Sequence, residues 1–409
     1  MVFSIIKVSM DKKINLKFTI IYTIIQILYL AGFCAIITYS TNYLVSLGFS
    51  LSVVGIILSI ANILGLVVQP LTASYVDNHP ELSIQKITAV VCIAAGIVSG
   101  AVFLFNPPAI LQVVLYLTMH LLFGVLGPLI SSLAFVFEKD NIEINFGVAR
   151  AAGSGSYALA TLLLGKFIDD VGMKLMFISY AVIVFVLALT TTLFKVPDNK
   201  QNKEEEKKED GEVLSFGQFM LKYKNFTLFI IGSSIVLFAH ASVDTYFSNI
   251  IGEFGGTTEQ MGQALSLAAA VEIPGMVLYD RLKNRFSVPG VMIFSLISFI
   301  VKYVITLLAN NMTMIMIAES MQMLAYALFT PGTVYVGKLC VDSKDMVKGQ
   351  TLVNMTISFS GILASLVGGF ALDYMSVKPY LVITTIASAI GSVAMIYAMK
   401  VDKEKLINK

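Results

Sequence analysis

The chain reads as a series of long apolar runs broken by short polar clusters. Twelve runs are long enough to cross a bilayer, at about 18–46, 51–74, 86–105, 109–136, 145–168, 173–195, 226–251, 258–279, 287–309, 312–339, 348–372 and 377–399. A hydrocarbon core about 30 Å thick takes roughly 20 helical residues to cross. In lipid the backbone must close its hydrogen bonds internally, so only helices or closed barrels span. The runs do not alternate polar with apolar residues, which points to helices. Runs one, four and ten are longer than the bilayer needs, so tilt or protrusion is expected there.

The longest interruption lies after the sixth run, from Pro197 to about Asn225, and holds Lys203-Glu204-Glu205-Glu206-Lys207-Lys208-Glu209-Asp210. Such a charged stretch cannot bury a core and reads as a solvated linker. It divides the chain into an N-terminal six-helix bundle (1–195), a cytoplasmic linker (196–225) and a C-terminal six-helix bundle (226–409). Each half carries a charged loop after its second run: Asp77, His79 and Glu81 in the first, Asp280-Arg281-Leu282-Lys283-Asn284-Arg285 in the second. Matched halves of this kind are the mark of carriers built from repeats, whose solute sites lie near the membrane midplane.

Composition agrees with the pattern. Apolar residues make up 57% of the chain and charged residues 13%, against about 25% charged in soluble domains. The mean hydropathy is +0.82. The net charge of +2 comes with no basic stripe, so no nucleic-acid partner is expected. The expected partners are a small-molecule substrate and the lipid bilayer, with a monomer as the assembly. Cys34, Cys92 and Cys340 have no metal-ligand spacing and read as buried small residues without a disulfide. With the three His also far apart, no metal and no cofactor is expected beyond a proton as coupling ion, and no enzyme chemistry. Met1 to Lys17 carries Lys7, Lys12, Lys13 and Lys17 and reads as a cytoplasmic lead into the first span. With that start inside, Lys166, Lys174 and Lys378 fall outside, Arg150 and Lys302 lie within spans, and the remaining 23 of 28 basic residues are cytoplasmic. This asymmetry places both termini in the cytoplasm of a multi-pass cell-membrane protein.

Charges inside spans cost roughly 2.5–3.5 kcal/mol each on insertion scales, so they usually face the bundle interior with a partner or a task. Arg150, Ser154 and Tyr157 follow i, i+4, i+7 spacing and share a helix face. A guanidinium offers fixed donors for hydroxyls or a carboxylate, and a tyrosine offers an apolar face with a polar tip. The alternative is a structural Arg150 paired with Glu138, Glu143 or a facing carboxylate. His240 and Asp244 are i, i+4 on span seven and can touch, as a titrating pair or a structural one. Glu272 lies two residues before Pro274-Gly275, where the helix ladder is interrupted, and suits ligand hydroxyls or a proton. Glu319, Gln322 and Tyr326 share a face of span ten, and Lys302 is the counter-charge for Glu319. Such a pair is a proton switch if transport separates it, or a static ion pair if not. Asn354 and Ser358 share a face of span eleven. Arg150, Ser154, Tyr157, Glu272, Gln322 and Asn354 are the candidate substrate-binding residues. Glu319, Lys302, Asp244 and His240 are the candidates for proton coupling.

These residues resemble the lactose permease branch of the major facilitator superfamily, the oligosaccharide:proton symporters. Val54-Gly55-Ile56-Ile57, then Gln69-Pro70-Leu71 and Asp77, resemble that family's run in span two. Phe146-Gly147-Val148-Ala149-Arg150, followed by Gly153 and Tyr157, resemble its span five, where a tryptophan stands in place of Tyr157. Glu272 matches in kind, and Lys302 stands where the family has arginine. The resemblance implies a twelve-span alternating-access carrier with Arg150, Tyr157 and Glu272 at the substrate, and uptake coupled to a proton. The chain departs from the family in span ten, where its His and proton-carrying Glu fall on Gln322 and Ala325. It departs again in span four, where Ser131-Ser132-Leu133-Ala134-Phe135 lacks the galactoside-binding glutamate. Lactose is therefore not the expected solute, and Glu319 is the expected proton carrier. The resemblance also leaves open nucleosides or aromatic acids as solutes, and an exporter or facilitator without proton coupling.

Overall fold

A computed structural model describes residues 2–79, 82–134, 144–194, 215–342 and 345–401, without the side chains of 2–14, 77, 216, 347 and 401. Among the described residues every regular element is a helix: α1 (Val2–Phe33), α2 (Ser40–Ser46), α3 (Leu51–Asn78), α4 (Ile84–Phe105), α5 (Ala109–Leu133), α6 (Phe146–Val171), α7 (Leu175–Leu193), α8 (Phe216–Lys222), α9 (Lys224–Thr245), α10 (Phe247–Gly252), α11 (Thr258–Phe286), α12 (Val288–Leu308), α13 (Met312–Ser320), α14 (Tyr326–Cys340), α15 (Met346–Tyr374) and α16 (Val377–Val401). Eleven described helices or helix pairs are long and apolar enough to cross a membrane. The twelfth span is α6, which has the length at 26 residues but carries Arg150, Lys166, Asp169 and Asp170. The fold is that of the twelve-span, two-bundle membrane proteins.

Local chemistry explains where helices begin. Asn145 caps α6 by accepting from Val148 N at 3.0 Å, which fixes the register that carries Arg150. Ser215 and Thr257 form capping boxes with Gln218 and Gln260, each satisfying two backbone donors that a helix start leaves open. Span one is not one α-helix. A buried π-helical turn, Cys34–Thr38, separates α1 from α2. Span seven likewise ends with a break at Tyr246, between α9 and α10. The end of the region read as a linker is ordered as α8, seated by Phe219, which is buried and packs on Tyr223 and Phe226. The acidic and basic run 203–210 lies outside the described residues.

The chain forms two compact units, Met1–Gly48 with Ile63–Asn202, and Phe49–Asn62 with Lys203–Lys409. In the first, α1 packs on α6 and α7, and α4 on α5 and α7. In the second, α9 packs on α15 and α16, and α12 on α14 and α16. The first turns of α3 belong to the second unit, although the sequence order groups them with the first bundle. Their open N–H groups explain the attachment: Leu51 N and Ser52 N donate to the Asp373 carboxylate at 3.0 and 2.8 Å. A carboxylate at a helix N-terminus answers both the unpaired donors and the macrodipole. Ser59 adds a bond to Ile362 O at 3.0 Å. Cys34, Cys92 and Cys340 are buried free thiols.

Candidate functional site

The second unit gathers charged groups from three spans into one buried network. Lys302 on α12 is fully buried, and Glu319 on α13 is 2% exposed. Lys302 Nζ donates to Glu319 Oε2 at 2.9 Å and to Gln322 Oε1 at 2.6 Å. Gln322 turns its amide the other way, and its Nε2 donates to Glu272 Oε1 on α11 at 3.0 Å. The result is a continuous line, Glu319–Lys302–Gln322–Glu272, with an amide as the hinge between two carboxylates. Each member holds its neighbour. Removing one partner of a buried ion pair costs about 3–5 kcal/mol, because it strands a charge.

Span ten is broken where it carries this network. α13 ends at Ser320, a single 3-10 turn covers Met321–Met323, and Ala325 leaves helical geometry at φ −84°, ψ −86° before α14 begins. Pro331, inside α14, lacks the N–H that would hold the carbonyl four residues back. The carbonyl so left open is that of Ala327, whereas Ala325 O accepts from Phe329 N at 3.0 Å and from the Ser295 hydroxyl on α12 at 2.6 Å. Gly275 allows α11 to approach this break. A methyl group there would lie 2.6 Å from Met323 O and 2.7 Å from the Ala327 side chain. Pro274 and Gly275 thus bring Glu272 within reach of Gln322. The shared face of Glu319, Gln322 and Tyr326 expected for one continuous helix is distributed over three segments.

His240 and Asp244 adjoin the network from α9. His240 Nε2 stands 3.5 Å from Asp244 Oδ2, with the His side chain 10% exposed and the Asp side chain 45% exposed. The imidazole packs on Tyr326 at 4.6 Å between ring centres and on Phe299 at 5.9 Å.

The first unit carries a different arrangement. Arg150 is exposed on α6, and among the described residues no carboxylate pairs with it. Glu138 and Glu143, the partners weighed from sequence, lie outside the described residues. Gly153 sets the seat of α6 on α1, since a Cβ there would meet Leu30 at 2.9 Å and Gln26 O at 3.1 Å. One turn further, the half-buried Tyr157 accepts a hydrogen bond from Thr38 Oγ1 at 3.3 Å and lies 5.9 Å from the Phe33 ring. Phe33 in turn meets Phe123 at 5.9 Å, and Phe123 stacks flat on Tyr29 at 4.8 Å with 2° between planes. Ser154 is half-buried beside them. Asn354 is exposed on α15 and takes no part in the described network of the second unit.

The sequence matches the MFS_1 like family over residues 19–382. The chain belongs to this family. It is therefore a multi-pass membrane transporter of the major facilitator type. Among characterised proteins it is 26% identical to the maltose permease of Geobacillus stearothermophilus over 236 residues. That match covers 57% of this chain and 56% of the permease, so the chain spans a little over half the length of that relative. It is 22% identical over 281 residues to the uncharacterized transporter YwbF of Bacillus subtilis (strain 168), covering 68% of each. Among solved structures, the nucleoside transporter NupG superposes with a TM-score of 0.78 at 16% identity, over 94% of this chain and 99% of that one. A bacterial homolog of the human lysosomal transporter Spinster, in an inward-facing conformation, gives 0.68 at 14% identity, over 97% and 98%. These structural likenesses establish the fold.

Two features of this transporter escaped the sequence reading: the Ser295 bond to Ala325 O and the stacked Tyr29 and Phe123. Serine and aromatic residues are common in spans, and only long-range packing separates these from the rest.

Proposed function

We propose that the chain imports a small polar organic solute, a sugar or glycoside, by alternating access coupled to a proton. The observation that carries this reading is the buried line from Glu272 through Gln322 and Lys302 to Glu319. Glu272 is the solute-facing end, since it is half-buried and is held by one amide bond. Solute hydroxyls that bond to Glu272 compete with Gln322 Nε2 for the same oxygen. A Gln322 set free rotates its amide and loosens Oε1 from Lys302. Lys302 then holds Glu319 alone, and a proton arriving on Glu319 ends that ion pair and releases the Lys302 ammonium to another acceptor. Arg150, Ser154 and Tyr157 are candidate solute contacts of the first unit, and Gln322 and Asn354 are candidates within the second. Arg150 suits this role because it is a cation with no described carboxylate to occupy it. The match to a maltose permease favours a sugar.

A second reading is a nucleoside or aromatic acid as the solute, or an exporter or facilitator without proton coupling. The half-buried ring of Tyr157 favours planar solutes, because an aromatic side chain offers an apolar face. The count of basic residues by side supports cytoplasmic termini in the cell membrane.

The test is to add members of a panel of sugars, nucleosides and aromatic acids to cells expressing the protein, with a pH electrode in the medium. The proposal expects one solute class to alkalinise the medium, and Arg150→Ala to remove the response. Uptake without any pH change would leave the facilitator reading in place.

A further inference from the structure

Span one is interrupted by the π-helical turn Cys34–Thr38, whose first three residues are buried. A π-turn closes its hydrogen bonds over one residue more than an α-turn, and such turns are frequent at functional sites. Here the turn sets what span one offers to α6. Before it, the Ser156 hydroxyl donates to Ile27 O at 2.9 Å, and Gly153 lets α6 close on Leu30 and Gln26 O. At its end, two consecutive residues reach α6 one helical turn apart. Thr38 Oγ1 donates to the Tyr157 hydroxyl at 3.3 Å. The hydroxyl of the fully buried Tyr39 donates to Thr161 O at 2.7 Å. Without the extra residue, everything beyond the turn would be rotated by about 100° against α1, and Thr38 and Tyr39 would face away from these partners.

Tyr157 is therefore held twice by the same stretch of span one. Phe33, the residue before the turn, lies 5.9 Å from the Tyr157 ring with 57° between planes. Thr38, the last residue of the turn, holds the phenol oxygen. Thr38 and Tyr157 are both half-buried, so neither is sealed inside the helix packing. We propose that Thr38 is a positioning residue of the first unit, which fixes the phenol of Tyr157 in the orientation that meets a hydroxyl-bearing solute. The inference rests on the reading of Tyr157 as a solute contact and adds the residue that orients it.

The gain is one of pre-organisation. A side chain that is loose before binding must be ordered when the solute arrives, and that cost corresponds to about a two- to tenfold weaker affinity. A phenol both donates and accepts, so holding it sets the direction of its bonds as well as its place. Thr38 touches no solute in this scheme and acts through Tyr157 alone. Two substitutions separate this role from packing. Valine keeps the shape of threonine and loses the hydroxyl, and serine keeps the hydroxyl and loses the methyl group.

The test has two arms. In the first, without solute, 3-fluorotyrosine replaces Tyr157 and the fluorine NMR spectrum of the purified protein is recorded. The expected result is one dominant resonance in the wild-type background and in Thr38→Ser, with a second resonance from the turned ring in Thr38→Val. An unchanged spectrum in Thr38→Val overturns the positioning role. In the second arm, calorimetry gives the affinity for p-nitrophenyl α-glucoside, a glycoside probe with a planar ring. Thr38→Val should bind about two- to tenfold more weakly, Thr38→Ser should bind as the wild type does, and Thr38→Val should add nothing to Tyr157→Phe. Wild-type affinity in Thr38→Val beside a weakened Tyr157→Phe overturns the inference and leaves Tyr157 at the solute. Wild-type affinity in both Tyr157→Phe and Tyr157→Ala overturns Tyr157 as a solute contact, and the inference with it. No binding by the wild type overturns the glycoside reading, and the fluorine spectrum alone then decides the positioning role.

Discussion

The two units carry their polar residues in opposite states. In the first unit, Arg150 is exposed, with no described carboxylate, and Tyr157 is bonded to Thr38 at 3.3 Å. In the second, Lys302, Glu319, Gln322 and Glu272 are bonded end to end at 2.6–3.0 Å. The first presents an exposed cation with no described carboxylate to displace. The second is already satisfied, and anything that binds there must displace a bond already made. A carrier that couples two events needs both: a side that binds, and a side on which binding breaks an existing pair.

The largest expected effect comes from cutting the second unit's pair. Lys302→Ala strands the Glu319 charge in the interior and should destabilise the protein by about 3–5 kcal/mol. Fluorescence-detected size exclusion would show most of the protein lost, with partial recovery in Lys302→Ala combined with Glu319→Gln. A single variant as stable as the wild type would mean the pair is not buried as described. Arg150→Ala should behave in the opposite way. Its hydrogen bonds to a solute are worth about 1.5–3 kcal/mol, which is roughly a 10- to 100-fold loss of affinity. Its melting temperature should stay at the wild-type value, because Arg150 is exposed. Gly275→Ala lies between the two, since its methyl meets Met323 O at 2.6 Å and such overpacking costs about 1–3 kcal/mol. A thermal melt should show the loss, with uphill uptake reduced because Glu272 is pushed away from Gln322.

The smallest effect is expected outside the membrane, where Lys222 holds Asp345 at 2.7 Å and Asp342 at 3.1 Å. Tyr223 donates to the same two carboxylates at 2.7 and 2.8 Å. The hydrogen bond to Asp345 raises the Lys222 pKa, and burial pushes Tyr223 up to about 12. A group raised in the folded state stabilises fully below its unfolded value, and the stabilisation fades only as pH climbs through the folded one. For lysine and tyrosine that window opens above about pH 10. Asp345→Asn should therefore lower the melting temperature slightly and by the same amount at about pH 6 and about pH 9. A drop that grew between those values would mean another titrating group controls the cluster.

Much of this was legible in the sequence. A charge in an apolar run is rare enough to stand out, so Arg150, Glu272, Lys302 and Glu319 announced themselves. The i, i+4 spacing of His240 and Asp244 was sufficient to pair them. The break in span ten was not legible, because Ala325 is an ordinary helix former and Pro331 lies six residues beyond it. The break depends on Ser295 and Gly275, which come from other spans. The first turns of α3 joined the second unit through Asp373, more than three hundred residues away, and no local pattern encodes that contact.

The central claim is that Glu319 carries the coupling proton, and Glu319→Gln in membrane vesicles tests it most directly. With the solute class found by the pH-electrode screen, uphill uptake driven by an imposed proton gradient and solute exchange at equal pH are measured on one preparation. The account predicts that uphill uptake is abolished and exchange is kept. Uphill uptake at the wild-type level would contradict it.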